Sequence, residues 1–478
     1  MRKFFLLASF CLALIAPLAA QPAAAPQHDA RLRGAYRFER DGWVYVHLEG
    51  TPSQIGYQHG MLLARDIEAL IEVFAVEARH DSDKPWSFYR NSGRTILWPH
   101  IDGEYRAELE GIADGLHAQH STLDLWDVVA LNGFLELNHY YLPWLNDQKH
   151  KKNLPKTVPP GKCSAFIATG SITRGDRIVI AHNNWSSYAE GEHWNFVFDV
   201  VPTRGQRFLM DGAAGMITSG DDFGVNASGI MMTETTLPMA RGFDPNGIPE
   251  FMRSRRALQY ARSIDDYVAI LRKGNNGGYA NSWLIGDRKT GEIAYLELGL
   301  HHSPLLRKKE GYFVSSNYAE NQDLIRDDTP GFDHDNLESS MNARRLRAAE
   351  FIELHRGEID VPLAEFFLSD HQDSYEKKED AGKRSLCGHE DNSPVGEKVW
   401  GDPPFAPAGA VSGKATDSAL AAKLGFVGRA GHPCGQVFEA APFLSAHPEF
   451  NWQKKILGDM KSGPWATFTA GEKPPAAK

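Results

Sequence analysis

At residue 163 the apolar patterning of this chain changes period, and that switch limits the folds open to it. Upstream, apolar residues recur at helical spacing: Ile55, Tyr57, Met61, Leu62, Ile67, Leu70 and Ile71, then Tyr105, Leu109, Ile112 and Leu116, then Leu123 to Leu137. Thr51 followed by Pro52 marks the first of these helices, as N-cap and first helical residue. Only Trp43 to Leu48 reads as a strand in that half. From Cys163 onward the runs are short, alternating and bounded by turn residues. Cys163 to Thr169 and Arg177 to His182 flank Thr173-Arg174-Gly175-Asp176. Trp194 to Val201 and Arg207 to Met210 form the next pair, and Phe223 to Val225 and Ile230 to Thr236 the one after. A helix is predicted over Pro249 to Lys273. Strands follow at Ser282 to Ile285, Glu292 to Leu298 and Tyr312 to Ser315, then helices at Ser339 to Leu354 and Val361 to Leu368. Hairpins bracketing helices predict an α+β layered architecture with helices covering antiparallel sheets. Residues from Gly471 onward read as a loose tail.

The switch coincides with a chemical feature. A polar, proline-rich stretch, Asn153 to Pro160, leads into Gly161-Lys162-Cys163, and the strand pattern starts at the cysteine. Cleavage of the Lys162–Cys163 bond would make Cys163 a chain terminus and a self-sufficient nucleophile, because its own α-amine can accept the thiol proton. An α-amine has a pKa near ~8, much closer to neutrality than a lysine at ~10.4. That amine exists only after the bond is broken, so such an enzyme is made as a precursor. Taken alone, Cys163 reads as a buried structural thiol before it reads as a nucleophile.

The N-terminus carries a secretory signature: Arg2 and Lys3, an apolar run from Phe4 to Leu18, and the small exit Ala19-Ala20. The expected organisation is a signal peptide at 1–20, a helical part at 21–162 that is released yet stays associated, and a catalytic part at 163–478. The apolar run is too short to span a bilayer and no second one follows, so a periplasmic or secreted protein without a stable membrane span is expected. The formal net charge of −10 excludes a basic surface field for nucleic acid. Four cysteines are present, and Cys11 falls in the signal. Cys163, Cys387 and Cys434 remain, an odd number, which singles out one as a reactive thiol. Cys387 and Cys434 lie in turn-like surroundings and either pair as a disulfide or remain free, buried thiols.

Residues able to complete a site lie on neighbouring strands. His182, Asn183 and Trp185 end the strand that the hairpin returns beside Cys163; Trp185 is a candidate substrate contact, and His182 is a polarising group or a satisfied strand-end histidine. Asn281, at the entry of a later strand, is an amide donor for a developing oxyanion or a turn residue. Thr236 is a second donor candidate. Arg344 sits on a helix among basic neighbours. His371 and His389 flank Asp373 and Cys387, but their spacing fits no zinc pattern, and a loop-stabilising role is expected. No cofactor is expected.

Together these residues resemble the phospholipase B-like group of N-terminal-nucleophile hydrolases and their relatives in the acyl-CoA:6-aminopenicillanic-acid acyltransferase (C45) peptidase family. Gly50-Thr51-Pro52-Ser53-Gln54-Ile55-Gly56-Tyr57-Gln58-His59-Gly60 and Glu110-Gly111-Ile112-Ala113-Asp114-Gly115 resemble helix motifs of the acyltransferase relatives. Cys163-Ser164-Ala165 with Ala181-His182-Asn183-Asn184-Trp185-Ser186-Ser187-Tyr188 resembles the nucleophile hairpin of the phospholipase B-like proteins, as do Ser219 to Phe223 and Thr233 to Thr236 their next block. Asp370-His371 and Ser385 to His389 are similar to the C45 side. The resemblance implies a four-layer αββα sandwich, self-cleavage before Cys163, and two chains that stay together. It implies Cys163 as nucleophile, Asn281 in the oxyanion hole and Arg344 beside the nucleophile. Ser186 stands where bile-salt-hydrolase-like relatives carry an aspartate, which favours the phospholipase B-like side.

The expected activity is cleavage of an acyl ester or linear amide of a small molecule through a thioester. Two rivals are a papain-like protease, for which Cys163, His301 and Asn317 occur in the required order, and a non-catalytic exported binding protein.

Overall fold

The computed structural model describes residues 29–149, 162–220 and 223–475. The signal-like segment 1–20 and the proline-rich stretch 153–160 lie outside the described residues. Alternation along the strand Lys162–Thr169 explains the architecture. Ala165 and Ile167 project into a core shared with Val197, Leu209, Met231, Leu284 and Tyr295 of a second sheet. Phe166 and Ala168 project the other way, into a core with Ala348, Phe351 and Ile352 of the helix Ser340–Leu354 and Phe367 of the helix Val361–Leu368. A strand buried on both faces must lie inside a layered stack.

The sheet carrying Cys163 has six strands in the order Gly311–Ser315, Lys162–Thr169, Val179–Ser187, Ala408–Asp417, Gly425–Ala430 and Ala466–Thr469, all antiparallel. The facing sheet has nine, running from Tyr36–Arg40 and Trp43–Gly50 through Phe196–Pro202, Phe208–Gly212, Phe223–Asn226, Ile230–Thr236, Asn281–Asp287 and Glu292–Leu298 to Leu305–Lys308. One pair in it is parallel, Trp43–Gly50 with Phe196–Pro202. The outer face of the nine-stranded sheet, with Phe196, Phe198, Met232 and Trp283, packs on Ile67, Phe74, Leu109 and Ile112 of the N-terminal helices. Helix, sheet, sheet and helix follow one another, the αββα sandwich.

The two N-terminal motifs turn out to be two halves of one contact. The helix Pro52–Leu62 presents Gly56 and Gly60 to the helix Gly103–Ala118, which presents Gly111 and Gly115 in return. A Cβ on Gly60 would lie 2.1 Å from the Ile112 carbonyl oxygen, and one on Gly115 2.4 Å from that of Tyr57. Both obstacles are main chain, so only glycine allows this approach. Thr51 and Gln54 close a capping box at the start of the first helix.

Several elements depart from the patterning. The strand Tyr36–Arg40, absent from the sequence pattern, pairs with Trp43–Gly50, so the N-terminal part supplies two strands as well as helices. The helix predicted over Pro249 to Lys273 is two, Glu250–Tyr260 and Ile264–Arg272, because Ala261 leaves helical geometry and Ser263 caps a fresh start on the Asp266 amide. The strands Ala408–Asp417, Gly425–Ala430 and Ala466–Thr469 were not foreseen from the pattern. Among the described residues no helix is long and apolar enough to cross a membrane.

Candidate active site around Cys163

Cys163 is the second residue of its strand and lies almost fully buried, at 1% exposure. By alternation it shares the inter-sheet face with Ala165 and Ile167. Its main-chain N–H donates to Asn317 Oδ1 at 2.8 Å. Arg344 Nη2 donates to the same oxygen at 3.0 Å, its Nη1 donates to the Cys163 carbonyl and, at 3.1 Å, to Ser164 Oγ, and its Nε reaches Ser340 Oγ at 3.0 Å. Asn317 Nδ2 donates onward to the Thr236 carbonyl at 2.9 Å, tying the Cys163 sheet to the facing one. Asn317 sits at φ 66°, a left-handed conformation that asparagine tolerates better than most residues. The main chain of Cys163 is therefore gripped by one amide and one guanidinium, both wholly buried.

Burial pushes the Cys163 thiol well up. Glu234 adds to that, while a Trp185 main-chain hydrogen bond, Lys414 and Arg344 work against it. Burial also pulls the Arg344 guanidinium down, to about 10, which leaves it charged at neutral pH. Lys414 pairs with Asp211 at 2.7 Å, both fully buried. His182 faces the same inter-sheet space, opposite Ala165 and Lys414. Burial and the Lys414 charge hold it well below its ordinary value, so its imidazole is neutral.

The register separates the predicted residues. Asn184, not Asn183, lies directly across from Cys163. Asn183 projects to the helix-covered face, where its Nδ2 donates to the Leu368 carbonyl at 2.7 Å and the Leu386 carbonyl at 2.9 Å. Trp185 lies on that same face, with the Arg344 guanidinium 4.3 Å above its ring. Thr236 meets the site through its carbonyl; its hydroxyl lies 3.5 Å from the Tyr279 hydroxyl. Asn281 alternates with Trp283 and Ile285, which pack in the core beneath the N-terminal helices. Its amide is buried, and neither polar atom makes a hydrogen bond among the described residues. The amide that touches Cys163 is that of Asn317, which entered the sequence reading only through the papain-like rival. An asparagine ending the strand run Tyr312 to Ser315, the partner of the Cys163 strand, was the available signal. The papain-like arrangement is not formed: Cys163 lies in a strand rather than at the start of a helix, and His301 is an exposed loop residue held through its main chain by Asp328.

Lys162 is buried as well, and its ammonium pairs with Glu390 and Asp402. All three line a cavity of 580 Å³ together with Trp185, Glu77 and Glu190. That cavity reaches Lys162 and stops short of Cys163. Glu77 and Glu190 hydrogen-bond to each other, and burial raises both; Glu190 adds to the rise at Glu77, whereas at Glu190 the Glu77 hydrogen bond works against it and Asp81 adds to it. Cys387 and Cys434 carry free thiols in the structure rather than the bridge considered from sequence.

Residues 82–295 match the Phospholipase B family model. Phospholipase B-like 1 of Homo sapiens is 27% identical over 260 residues, covering 50% of this chain and 43% of that protein. A phospholipase B of Crotalus adamanteus is 25% identical over 231 residues, 45% of this chain and 40% of its own length. An uncharacterized protein of Archaeoglobus fulgidus is 25% identical over 261 residues, 52% and 42% respectively. The matched region thus spans less than half the length of these relatives. Among solved structures, a variant of the conjugated bile acid hydrolase from Clostridium perfringens is 11% identical at a TM-score of 0.28, covering 56% of this chain and 81% of that one.

Proposed function

We propose, from the similarity of residues 82–295 to the Phospholipase B family, that this chain is an exported hydrolase that cuts itself before Cys163 and then uses Cys163 as its nucleophile. The observation that carries the proposal is the hold on the Cys163 main chain: its nitrogen on Asn317, its carbonyl on Arg344, and a thiol whose burial keeps it protonated. Any buried main-chain amide needs an acceptor; here the acceptor is a side-chain amide shared with a guanidinium, which would hold the same nitrogen in place once it becomes the catalytic base.

In the first step Cys163 Sγ attacks the Lys162 carbonyl carbon. The C–N bond breaks, the nitrogen takes the thiol proton and leaves as the Cys163 amine, and Lys162 is held as a thioester. Water hydrolyses the thioester, leaving a Lys162 carboxylate and a free thiol. In turnover the α-amine, still facing Asn317 Oδ1, accepts the thiol proton, and the thiolate attacks the substrate's acyl carbon. The ammonium then protonates the departing alcohol or amine, and water releases the acid. Lys162 and Trp185 line the 580 Å³ cavity, so withdrawal of Lys162 after the cut would open a path from that cavity to Cys163 for an acyl group. The N-terminal part contributes Trp43–Gly50 to the interior of the nine-stranded sheet, which favours two chains that remain bound after the cut.

Phospholipid esters and N-acyl amides are the substrate classes to assay, on processed wild-type protein. Release of fatty acid from one class, together with a hydroxylamine-sensitive acyl adduct on Cys163, supports the proposal. Turnover that survives alkylation of Cys163 would remove it from the nucleophile's role.

A further inference from the structure

Beside Trp185 lies a cluster that the reaction above does not use. His371, Cys387, His389 and Cys434 come from three separate turns, yet one donor atom from each lies within 4.8 Å of every other. Cys434 Sγ is 3.5 Å from His389 Nε2 and within hydrogen-bond range of Cys387 and His371. A tetrahedral zinc site with Zn–S near 2.3 Å and Zn–N near 2.0–2.1 Å has donor–donor edges of roughly 3.3–3.8 Å. One edge already has that length, and the others need to close by about 1.5 Å at most, a side-chain adjustment. The donor set is two thiols and two imidazoles with no carboxylate, which selects a borderline-soft ion over calcium or magnesium. The His432 ring lies tilted against that of His389, with centroids 4.2 Å apart, and His432 belongs to the same turn as Cys434.

We propose that His371, Cys387, His389 and Cys434 bind one structural zinc ion. Four protein ligands complete the coordination, so the site is closed and does not bind substrate. The ion fastens three loops behind the nucleophile hairpin. Gly388, between two of the ligands, lies at φ 68°, and a Cβ there would fall 2.1 Å from the Trp185 ring. Its carbonyl accepts from the Ala410 amide, and the carbonyl of Leu386 accepts from Asn183. The ion therefore holds the wall against which Asn183 and Trp185, the residues flanking Asn184 opposite Cys163, are packed. Long, uneven separations between the four ligands hide the site from a spacing-based reading; the sandwich topology brings them together. The proposal is independent of the identity of the hydrolysed bond.

The rival occupancy is a Cys387–Cys434 disulfide, and one set of measurements separates the two. Tag-free protein purified without chelator is analysed for metals by mass spectrometry. Its thiols are then alkylated under denaturing conditions with chelator and without reductant, and mapped by peptide. The expected result is about one zinc per chain, with Cys387 and Cys434 both alkylated, falling to about a tenth of an equivalent in Cys434→Ser and His371→Ala. Replacement of the zinc by cobalt adds visible tetrahedral bands and a thiolate charge-transfer band. Because wild type alone yields the ratio and the thiol map, a variant that fails to fold leaves the test intact. Wild type with less than about a tenth of an equivalent of transition metal, or with Cys387 and Cys434 recovered as a disulfide, overturns the proposal.

Discussion

Replacing Asn317 with alanine removes three hydrogen bonds and strains the chain. The Cys163 N–H, wholly enclosed, loses its acceptor at 2.8 Å, a penalty of about 1–3 kcal/mol for an unsatisfied buried donor. The Arg344 guanidinium loses one of its neutral acceptors, at 3.0 Å, worth about 1.5–3 kcal/mol for a charged donor. The Thr236 carbonyl loses its donor at 2.9 Å, about 1 kcal/mol. Alanine at φ 66° adds about 1 kcal/mol. These losses share one site and do not add fully, so a net destabilisation of about 3–5 kcal/mol is expected. It is read as a fall in the urea midpoint at unchanged slope. Asn317→Gly relieves the φ strain and should recover about 1 kcal/mol without restoring processing. Asn317→Asp keeps an acceptor for the Cys163 nitrogen while losing the donor to Thr236, so processing should be slowed rather than abolished. Two results would refute the reasoning: a loss below about 1 kcal/mol in Asn317→Ala, or self-cleavage at the wild-type rate in both the alanine and glycine variants.

Two further outcomes follow from the same geometry. Burial raises Glu190 from the ordinary 4.5 to about 7, so the folded chain holds a proton that the unfolded chain has lost between those values. Stability must then fall as pH rises through that window, by up to about 3 kcal/mol, and Glu190→Gln should flatten this part of a stability–pH profile measured by denaturant midpoints; an unchanged slope would contradict the assignment. Gly60→Ala forces a Cβ to within 2.1 Å of the Ile112 carbonyl; the two helices must separate, at a loss of about 2–4 kcal/mol and a lower unfolding midpoint, whereas Gly103→Ala, with open space around it, should change stability by less than about 1 kcal/mol.

The parts of this fold that were legible in the sequence are those where one face is apolar and the period unambiguous. The helix Ser340–Leu354, the strand Ile230–Thr236 and the switch at Cys163 all follow from patterning. The strand Ala408–Asp417 does not: Ala-Gly-Ala-Val-Ser-Gly-Lys-Ala-Thr-Asp carries few branched or aromatic residues, yet it is the partner that places the Cys163 hairpin inside its sheet. Its small residues are the consequence of crowding, since a Cβ on Gly413 would meet Trp465, Asn183 and Pro433 at once. Site residues divide by the same logic. Cys163 and Arg344 could be named because their positions stand out, and the structure joins them through the Cys163 carbonyl. The choice between Asn183 and Asn184 depends on a register that sequence leaves free by one residue, and such a slip reverses the face of every side chain. Asn281 and Asn317 both stand at strand ends, and only the pairing of the strand Gly311–Ser315 beside Cys163 distinguishes them.

The most direct measurement is the intact mass and N-terminal sequence of the purified protein, taken for wild type and Cys163→Ala. Self-cleavage by Cys163 predicts two co-purifying chains in wild type, one beginning at Cys163, and a single chain continuous through Lys162 in the variant. A wild-type chain uncut at Lys162–Cys163, or a cut at that bond that persists in Cys163→Ala, would contradict it.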